Sequence, residues 1–163
     1  MALAMLAAAG LPLLAQEASP GPKAPETAPC ADPLAVVRAF YDANDAQRFD
    51  RSAGLLSREA EFATWATGVN GHIMAQKHLR GRAQIRSYLP AARGLSWRLP
   101  GSPADGPIYH ETKVKAAGDI LSFMLEPDRE RPNGRLYNPF SVEVQLEGCR
   151  IRSLTVIEHI TWL

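Results

Sequence analysis

The stretch GRLYNPFSVEVQLEGCRIRSLTVIEHITWL, residues 134–163, decides how the sheet of this protein closes. Two apolar runs flank a Glu147-Gly148 turn, which is the pattern of a β-hairpin. Polar side chains interrupt these runs near the ends distant from the turn: Asn138 in the first run and Glu158 in the second. The pattern therefore predicts polar groups on an otherwise apolar face.

The phase of each strand determines which of these side chains faces the core. Asn138 shares a face with Phe140, and this apolar face should point inward. Regular pairing of the second strand would direct His159 inward. One bulged residue after Ile151 would instead direct Glu158 inward, together with a far more apolar set of neighbours. We therefore predict the bulge.

Helical patterns come first along the chain. Asp32 followed by Pro33 is a typical helix start, and apolar residues with helical spacing come after it. Shorter helices are predicted at 50–56 and 82–89, and Pro90 ends the second of them.

Most strand patterns follow the helices. We predict one strand at 61–65, before the third helix, and a loop with a short strand or turn at 66–78. Further strands are predicted at 95–99, 108–116 and 119–127, ahead of the closing hairpin.

Strict alternation in the segment 108–116 places His110 and Val114 on one face, together with Phe123 of the next strand, so we expect this face to point inward. Because helices precede strands, the sequence predicts a single α+β domain with helices packed on one side of a curved antiparallel sheet.

Composition restricts the possible partners. The chain has 163 residues and a formal net charge of +1. No stretch is strongly basic, so nucleic acid is not expected as a partner. The four histidines show no metal-ligand spacing, and neither a glycine-rich phosphate loop nor a nucleophile elbow is recognisable. We expect no metal and no cofactor.

The N-terminal segment predicts export. Residues 1–18 begin with an apolar run of signal-peptide length, and residues 19–31 read as a disordered Pro/Ala/Glu-rich linker before a folded domain at 32–163. The mature protein would be periplasmic or secreted, without stable membrane insertion. An uncleaved anchor or a misplaced start is the alternative. Export permits a disulfide between Cys30 and Cys149; two free thiols are the alternative.

The order of elements, with the segments VVRAFYDANDAQRFD and LRGRAQIRSYL and a closing hairpin that carries an Ile-x-x-Leu motif, resembles the nuclear transport factor 2-like superfamily, and within it the SnoaL-like proteins. The resemblance covers roughly residues 32–163. It implies a cone in which a curved sheet wraps around the helices and leaves an apolar pocket open at one end. It also implies a homodimer formed through the outer face of the sheet. Members include isomerases, polyketide cyclases and dehydratases, as well as proteins that only bind, so this fold does not name a function.

The best-known chemistry of this superfamily is that of the ketosteroid isomerases. Their catalytic tyrosine and two aspartates would fall near Phe40, Thr64 and Val142, and none of these residues is an acid of the required kind. Tyr41 is one residue away from the tyrosine position, which turns it about 100° around a helix. Isomerase chemistry of that type is therefore disfavoured.

Three functions remain open. The first is an exported protein that binds a small, largely apolar ligand in the cone without catalysis. The second is an enzyme that uses His110 and Glu158 as acid and base. The third is an envelope protein-interaction module that uses the outer sheet face. Glu158 would otherwise form a structural ion pair, for instance with Arg82 or Arg135. The expected ligand-lining residues are Asn138, Trp65, Tyr41, Phe123, Phe140 and Val142.

Structural observations separate these functions. Catalysis requires His110 and Glu158 to be close together in a closed apolar pocket. Local structural partners for each residue favour binding without catalysis. An interior filled by side chains favours the interaction module.

Overall fold

The computed structural model describes residues 28–68, 72–130 and 137–160. The predicted signal peptide, most of the predicted linker and Arg135 lie outside these residues. The described part contains three α-helices, a short 3-10 turn and six strands. Their bounds are α1 Pro33–Asp45, α2 Phe49–Gly54, β1 Leu56–Thr67, β2 Ile73–Arg80, α3 Arg82–Tyr88, the 3-10 turn Leu89–Ala91, β3 Tyr109–Ala117, β4 Ile120–Pro127, β5 Phe140–Glu147 and β6 Arg150–His159.

Helix α1 begins as the sequence predicts. The carboxylate of Asp32 accepts a hydrogen bond from the backbone N–H of Ala35 at 2.9 Å, and Pro33 occupies the first turn. A cap of this kind contributes about 1 kcal/mol. The buried side of the helix carries Phe40 and Tyr41, which pack against the sheet as part of the core.

The six strands form one curved sheet in the order β2-β1-β6-β5-β4-β3. Four of the five neighbouring pairs are antiparallel, but β1 and β6 run parallel. The predicted curved sheet is confirmed, and it is mixed rather than antiparallel at this one pair. A parallel pair needs a long connection, and here residues 68–149 connect the two strands.

Two predicted elements differ in the structure. The loop expected after β1 contains a full edge strand, β2, whose residues are mostly exposed, so the sequence shows no apolar period there. The strand expected at 95–99 is irregular instead. The carbonyl of Leu95 accepts a hydrogen bond from the side chain of Asn44 on α1, and only the carbonyl of Trp97 accepts one from a strand, from the backbone N–H of Tyr109 of β3, among the bonds of the described residues.

The core lies between the helices and the inner face of the sheet. It is built from aromatic and branched aliphatic side chains of every strand except β2, together with residues of α1 and α3. Its largest fully buried members are Tyr41, Tyr109, Phe40, Phe62, Phe140, Leu56, Ile85, Leu95, Leu121, Leu125 and Ile151.

A disulfide joins Cys30 to Cys149, with their Cα atoms 4.8 Å apart. It ties the segment before α1 to the turn between β5 and β6, across 119 positions of sequence. The bridge that the sequence left open is therefore present. Within the described residues, no helix has the length and apolarity needed to cross a membrane.

Candidate functional site

The predicted bulge in β6 is present and sets the position of Glu158. Gln145 pairs with Ser153 and Leu146 pairs with Ile151, so Arg152 has no partner of its own. This extra residue reverses the phase of the strand. The reversal turns Glu158 to the inner face, where it is 6% exposed.

Glu158 is held by two neighbours. Arg93 donates to both carboxylate oxygens, from Nη2 to Oε1 at 2.7 Å and from Nε to Oε2 at 3.2 Å. Asn138 donates from Nδ2 to Oε1 at 2.9 Å. A two-pronged arginine contact is a strong form of carboxylate pairing. The expected structural ion pair is therefore formed, but with Arg93, because Arg82 donates to the carbonyl of Leu56 instead.

His110 does not face the interior, so that prediction is wrong. Its side chain is exposed and lies opposite Glu126 of β4. The reason is a bulge between Thr112 and Lys115, where Lys113 has a positive φ of 53°. Between the bulge and the β3–β4 turn, the inward and outward positions are those expected. On the other side of the bulge, where His110 lies, they are exchanged.

The reversed phase puts other residues of β3 inside. Tyr109 is buried, packs its ring edge-to-face on Phe140 with centroids 5.5 Å apart, and donates its hydroxyl hydrogen to the carbonyl of Asn138 at 3.1 Å. Glu111 pairs with Arg38 of α1. Val114, expected inside, is 41% exposed because it belongs to the bulge.

The predicted acid–base pair is therefore not assembled. His110 lies on the outer face of the edge strand β3, and Glu158 lies on the inner face of the central strand β6. Glu158 is already bound by Arg93 and Asn138. The catalytic roles of His110 and Glu158 stay predictions that this geometry does not support.

The interior of the cone is occupied by the chain itself, in the segment 92–99. Its main-chain carbonyls accept hydrogen bonds from α1: the hydroxyl of Tyr41 donates to Gly94 and the amide of Asn44 donates to Leu95, both at 2.7 Å. The indole N–H of Trp97 donates to Asp42 at 2.7 Å. Three side-chain contacts thus hold the segment against the helix.

Gly94 is the point where this segment touches the sheet. A β-carbon there would lie 2.8 Å from side-chain atoms of both Phe140 and Val156, and its φ is +73°. Only glycine fits this conformation and this separation without a shift. The main chain therefore fills the space directly above the inner face.

The predicted ligand-lining residues are mostly core residues. Tyr41, Phe123, Phe140 and Val142 are buried among other protein atoms. Burial raises the pKa of Tyr41 and keeps its hydroxyl neutral at physiological pH. Trp65 alternates with buried residues of β1 and therefore faces outward. None of the four prominent hollows lined by described residues lies between α1 and the sheet, where the cone would open.

The outer face of the sheet carries a groove of about 410 Å³ across β3, β4, β5 and β6, which we call the outer groove. Near one end, Ser141 bonds to Nε2 of His159 at 2.6 Å, and Nδ1 of His159 lies 3.4 Å from the hydroxyl of Thr67. Sequence reasoning did not select this trio. The only sign of this trio in the sequence was the phase of β6. If Glu158 points inward, the next residue, His159, must point outward. The residues that line the groove are Lys113, Lys115, Ser122, Phe123, Met124, Ser141, Val142, Glu143, Thr155 and Ile157.

The described part of the chain shows no group of side chains suited to bind a metal ion. Within residues 28–68, 72–130 and 137–160, no three histidine, cysteine, aspartate or glutamate side chains are grouped as metal ligands.

The architecture matches solved structures. A candidate ketosteroid isomerase from Kribbella flavida is 13% identical, with a TM-score of 0.53 over 80% of each chain. A nuclear transport factor 2-like protein of unknown function from Cytophaga hutchinsonii is 16% identical, with a TM-score of 0.52 over 78% of this chain and 89% of its own. The beta subunit of a candidate aromatic-ring-hydroxylating dioxygenase from Novosphingobium aromaticivorans is 16% identical, with a TM-score of 0.50 over 79% and 88%.

This chain has the nuclear transport factor 2-like fold. The likeness confirms the fold that the resemblance implied. Neither a family model nor a curated protein matches the sequence. At these identities the likeness concerns the fold alone.

The structure also shows the surroundings of the three residues that stand where the resemblance would place the catalytic groups of a ketosteroid isomerase. Phe40, Thr64 and Val142 are all buried against the interior, as the resemblance implies for catalytic positions. Their side chains are a phenyl ring, a hydroxyl and an isopropyl group. None of them supplies the acid or the base that isomerisation of that type requires.

Proposed function

We propose that this protein is an exported, non-catalytic binding module that forms a homodimer through the outer groove. The observation that carries the proposal is the contrast between a filled interior and an open groove on the outer face. Segment 92–99 occupies the inside of the cone, whereas the outer groove offers about 410 Å³ of accessible space.

The composition of the outer groove suits a second copy of the chain. Met124 and Ile157 supply apolar surface, and Ser122 and Thr155 supply hydrogen-bonding groups. Partly apolar, partly polar surfaces of this kind are typical of dimer contacts.

The charges of the outer groove are complementary to each other. Lys115 lies on β3 and Glu143 on β5, so the two charges occupy different sides of the same surface. A two-fold axis through the groove would bring Lys115 of one copy toward Glu143 of the other. Lys113 is less available because its ammonium bonds to Glu126 at 2.9 Å.

The test is the molar mass in solution, measured by sedimentation at increasing protein concentration. We expect the wild-type chain to be a dimer and Ile157→Lys to be a monomer, because the new charge would have to be desolvated in the contact. Met74→Lys is the matched control: Met74 is 54% exposed but lies outside the groove, so that variant should remain dimeric.

A charge exchange makes this test specific. Lys115→Glu should weaken the dimer, because the new carboxylate of one copy would face the carboxylate of Glu143 in the other. Adding Glu143→Lys should restore it, since the opposite charges then face each other again. A wild-type chain that stays monomeric at high micromolar concentration would overturn the proposed assembly.

The disulfide supports export. Bridges such as Cys30–Cys149 form and persist in oxidising compartments and are rare in the cytosol. Expression of the full chain in a Gram-negative host tests this proposal by fractionation, intact mass and thiol titration. We expect periplasmic protein with a shortened N-terminus and no free thiol. Full-length protein in the cytoplasm with two free thiols would contradict it.

A small apolar ligand inside the cone is the second candidate, and one observation favours it. The polar groups that α1 directs inward, Tyr41 and Asn44, are occupied by carbonyls of the chain's own segment 92–99. Withdrawal of that segment would leave an apolar chamber with two hydrogen-bonding side chains. One structural neighbour is by name a candidate ketosteroid isomerase, which fits such a chamber.

Native mass spectrometry of protein purified from its own host tests the second candidate. A retained small molecule would support ligand binding, and Tyr41→Phe should change its retention because the variant loosens segment 92–99. A mass equal to that of the bare polypeptide in both proteins would contradict it.

A further inference from the structure

A second hollow lies on the helix side of the sheet. It is enclosed by α2, the start of β1, the end of β2 and α3. Its volume is about 630 Å³, and four arginines surround it. We call it the arginine hollow. The described residues that line it are Asp50, Ala53, Gly54, Arg58, Glu59, Arg80, Gly81, Arg82, Ala83, Gln84 and Arg86.

The arginine hollow is more positive than the rest of the chain. Its lining has four arginines and two carboxylates, a net charge of +2, whereas the whole chain carries +1. Of the four arginines of the hollow, only Arg86 is tightly paired with a carboxylate of the described residues: it donates from Nε to Asp50 at 2.5 Å. This contact lowers the pKa of Asp50, chiefly through its hydrogen bond to Arg86 and then through charge attraction.

Two other arginines of the hollow are only loosely paired. Nε of Arg58 lies 3.8 Å from Glu59, and Nε of Arg80 lies 3.7 Å from Glu61, both beyond hydrogen-bond distance. Their side chains are 94% and 67% exposed. Exposed pairs of this length contribute little, so these guanidinium groups can turn toward a ligand at small cost.

The fourth arginine is fixed and incompletely bonded. Arg82 donates from Nη2 to the carbonyl of Leu56 at 2.6 Å, which anchors its side chain. Its Nε is buried and has no hydrogen-bond partner among the described residues. A buried donor without an acceptor is costly. Arg82 also lines the hollow, so a bound anion there would lie beside a guanidinium that the protein fixes in place.

We infer that the arginine hollow binds an oxyanion of the phosphate class that carries at least two negative charges. Guanidinium groups present paired N–H donors that match phosphate oxygens, and their attraction strengthens where several converge. Two sources have this chemistry: a free phosphorylated small molecule and the phosphate headgroup of a lipid. The site is independent of the outer groove, because it lies on the helix side of the sheet at the opposite edge.

Calorimetric titration of the full chain with inorganic pyrophosphate at low ionic strength tests the free anion. We expect saturable binding that weakens as salt is added. The double variant Arg58→Gln/Arg80→Gln should weaken binding by about tenfold or more. Both side chains are largely exposed, so this variant should fold. Arg82→Gln should also reduce binding, and its thermal transition shows whether it is folded.

Arg38→Gln is the matched control. It removes one exposed arginine, the same change in net charge as Arg82→Gln and half of the change in the double variant, and Arg38 contacts Glu111 of β3, the strand at the other edge of the sheet. Its affinity for pyrophosphate should equal that of the wild type. Equal weakening in the control and in the double variant would show only a general charge effect and would overturn the site.

Flotation with vesicles tests the lipid source. Vesicles of phosphatidylcholine with phosphatidylglycerol should retain the wild type and Arg38→Gln but not the double variant, if a lipid phosphate is bound; vesicles of phosphatidylcholine alone are the reference. Pyrophosphate binding without vesicle binding would assign the site to free phosphorylated molecules. If neither probe binds, or if the double variant binds both as the wild type does, the inference is wrong.

Discussion

Polar side chains on the inner and outer faces of the same sheet differ in burial and in hydrogen bonding. On the inner face, Glu158 is buried and has both carboxylate oxygens bonded, and segment 92–99 fills the remaining space. On the outer face, Lys115 and Glu143 line an open groove. The open cone that the resemblance implied is filled in this chain by segment 92–99, and the groove across the central strands lies on the outer face.

The largest expected effect tests how tightly the inner face is filled. Gly94→Ala should lower the free energy of unfolding by about 3 kcal/mol, because the new β-carbon meets Phe140 and Val156 and also occupies a positive φ. Chemical denaturation measures this change.

Gly101→Ala separates crowding from backbone strain. Gly101 has nearly the same φ, +74°, but a β-carbon there would meet no atom within 4 Å. Its substitution should cost only about 1 kcal/mol. Equal losses at the two glycines would mean that the interior is not tightly filled above Gly94, and the contrast between the faces would fail.

The next effect compares a buried carboxylate with an exposed one. Glu158→Gln should lower the free energy of unfolding by about 2 kcal/mol, because it breaks the pair with Arg93 and leaves a mismatched amide beside Asn138. Arg93 is half-exposed, which limits the loss.

Glu143→Gln is the outer-face counterpart and should change the stability of the isolated subunit by less than about 0.5 kcal/mol. Denaturation at a protein concentration below dimer formation measures both variants. A loss at Glu143 as large as that at Glu158 would remove the distinction between the two faces.

The smallest effect concerns Asp128, an exposed carboxylate just after the end of β4. Asp128 accepts a hydrogen bond from the backbone N–H of Ile108 at 2.9 Å, and this bond is the main cause that lowers the pKa of Asp128 below 3.8, with smaller help from Arg129 and His110. A lowered pKa stabilises the fold above the ordinary aspartate range, and this stabilisation disappears as the pH falls through the folded value.

The melting temperature of the wild type and of Asp128→Asn, measured from neutral to acidic pH, tests this linkage. The wild type should melt slightly higher at neutral pH, and the difference should shrink as the pH falls below 3.8. A difference that grows on acidification would contradict the assigned cause.

Much of the fold was predictable because its signals are local. The cap at Asp32, the hairpin turn and the apolar alternation of β5 each depend on neighbours in sequence. The bulge in β6 was predictable because only one of the two possible phases of the strand buries mostly apolar side chains. That phase also places Glu158 correctly on the inner face. The bulge at Lys113 carried no such signal, so the phase of His110 was assigned wrongly.

The sequence by itself determined the order of elements, the α+β class and the inward position of Glu158, because periodicity and turn chemistry act over a few residues. Tertiary structure alone decided that Arg93 binds Glu158, that β1 lies parallel to β6, and that segment 92–99 fills the cone. These contacts join residues far apart in sequence, so they depend on how the elements pack in space rather than on any local pattern.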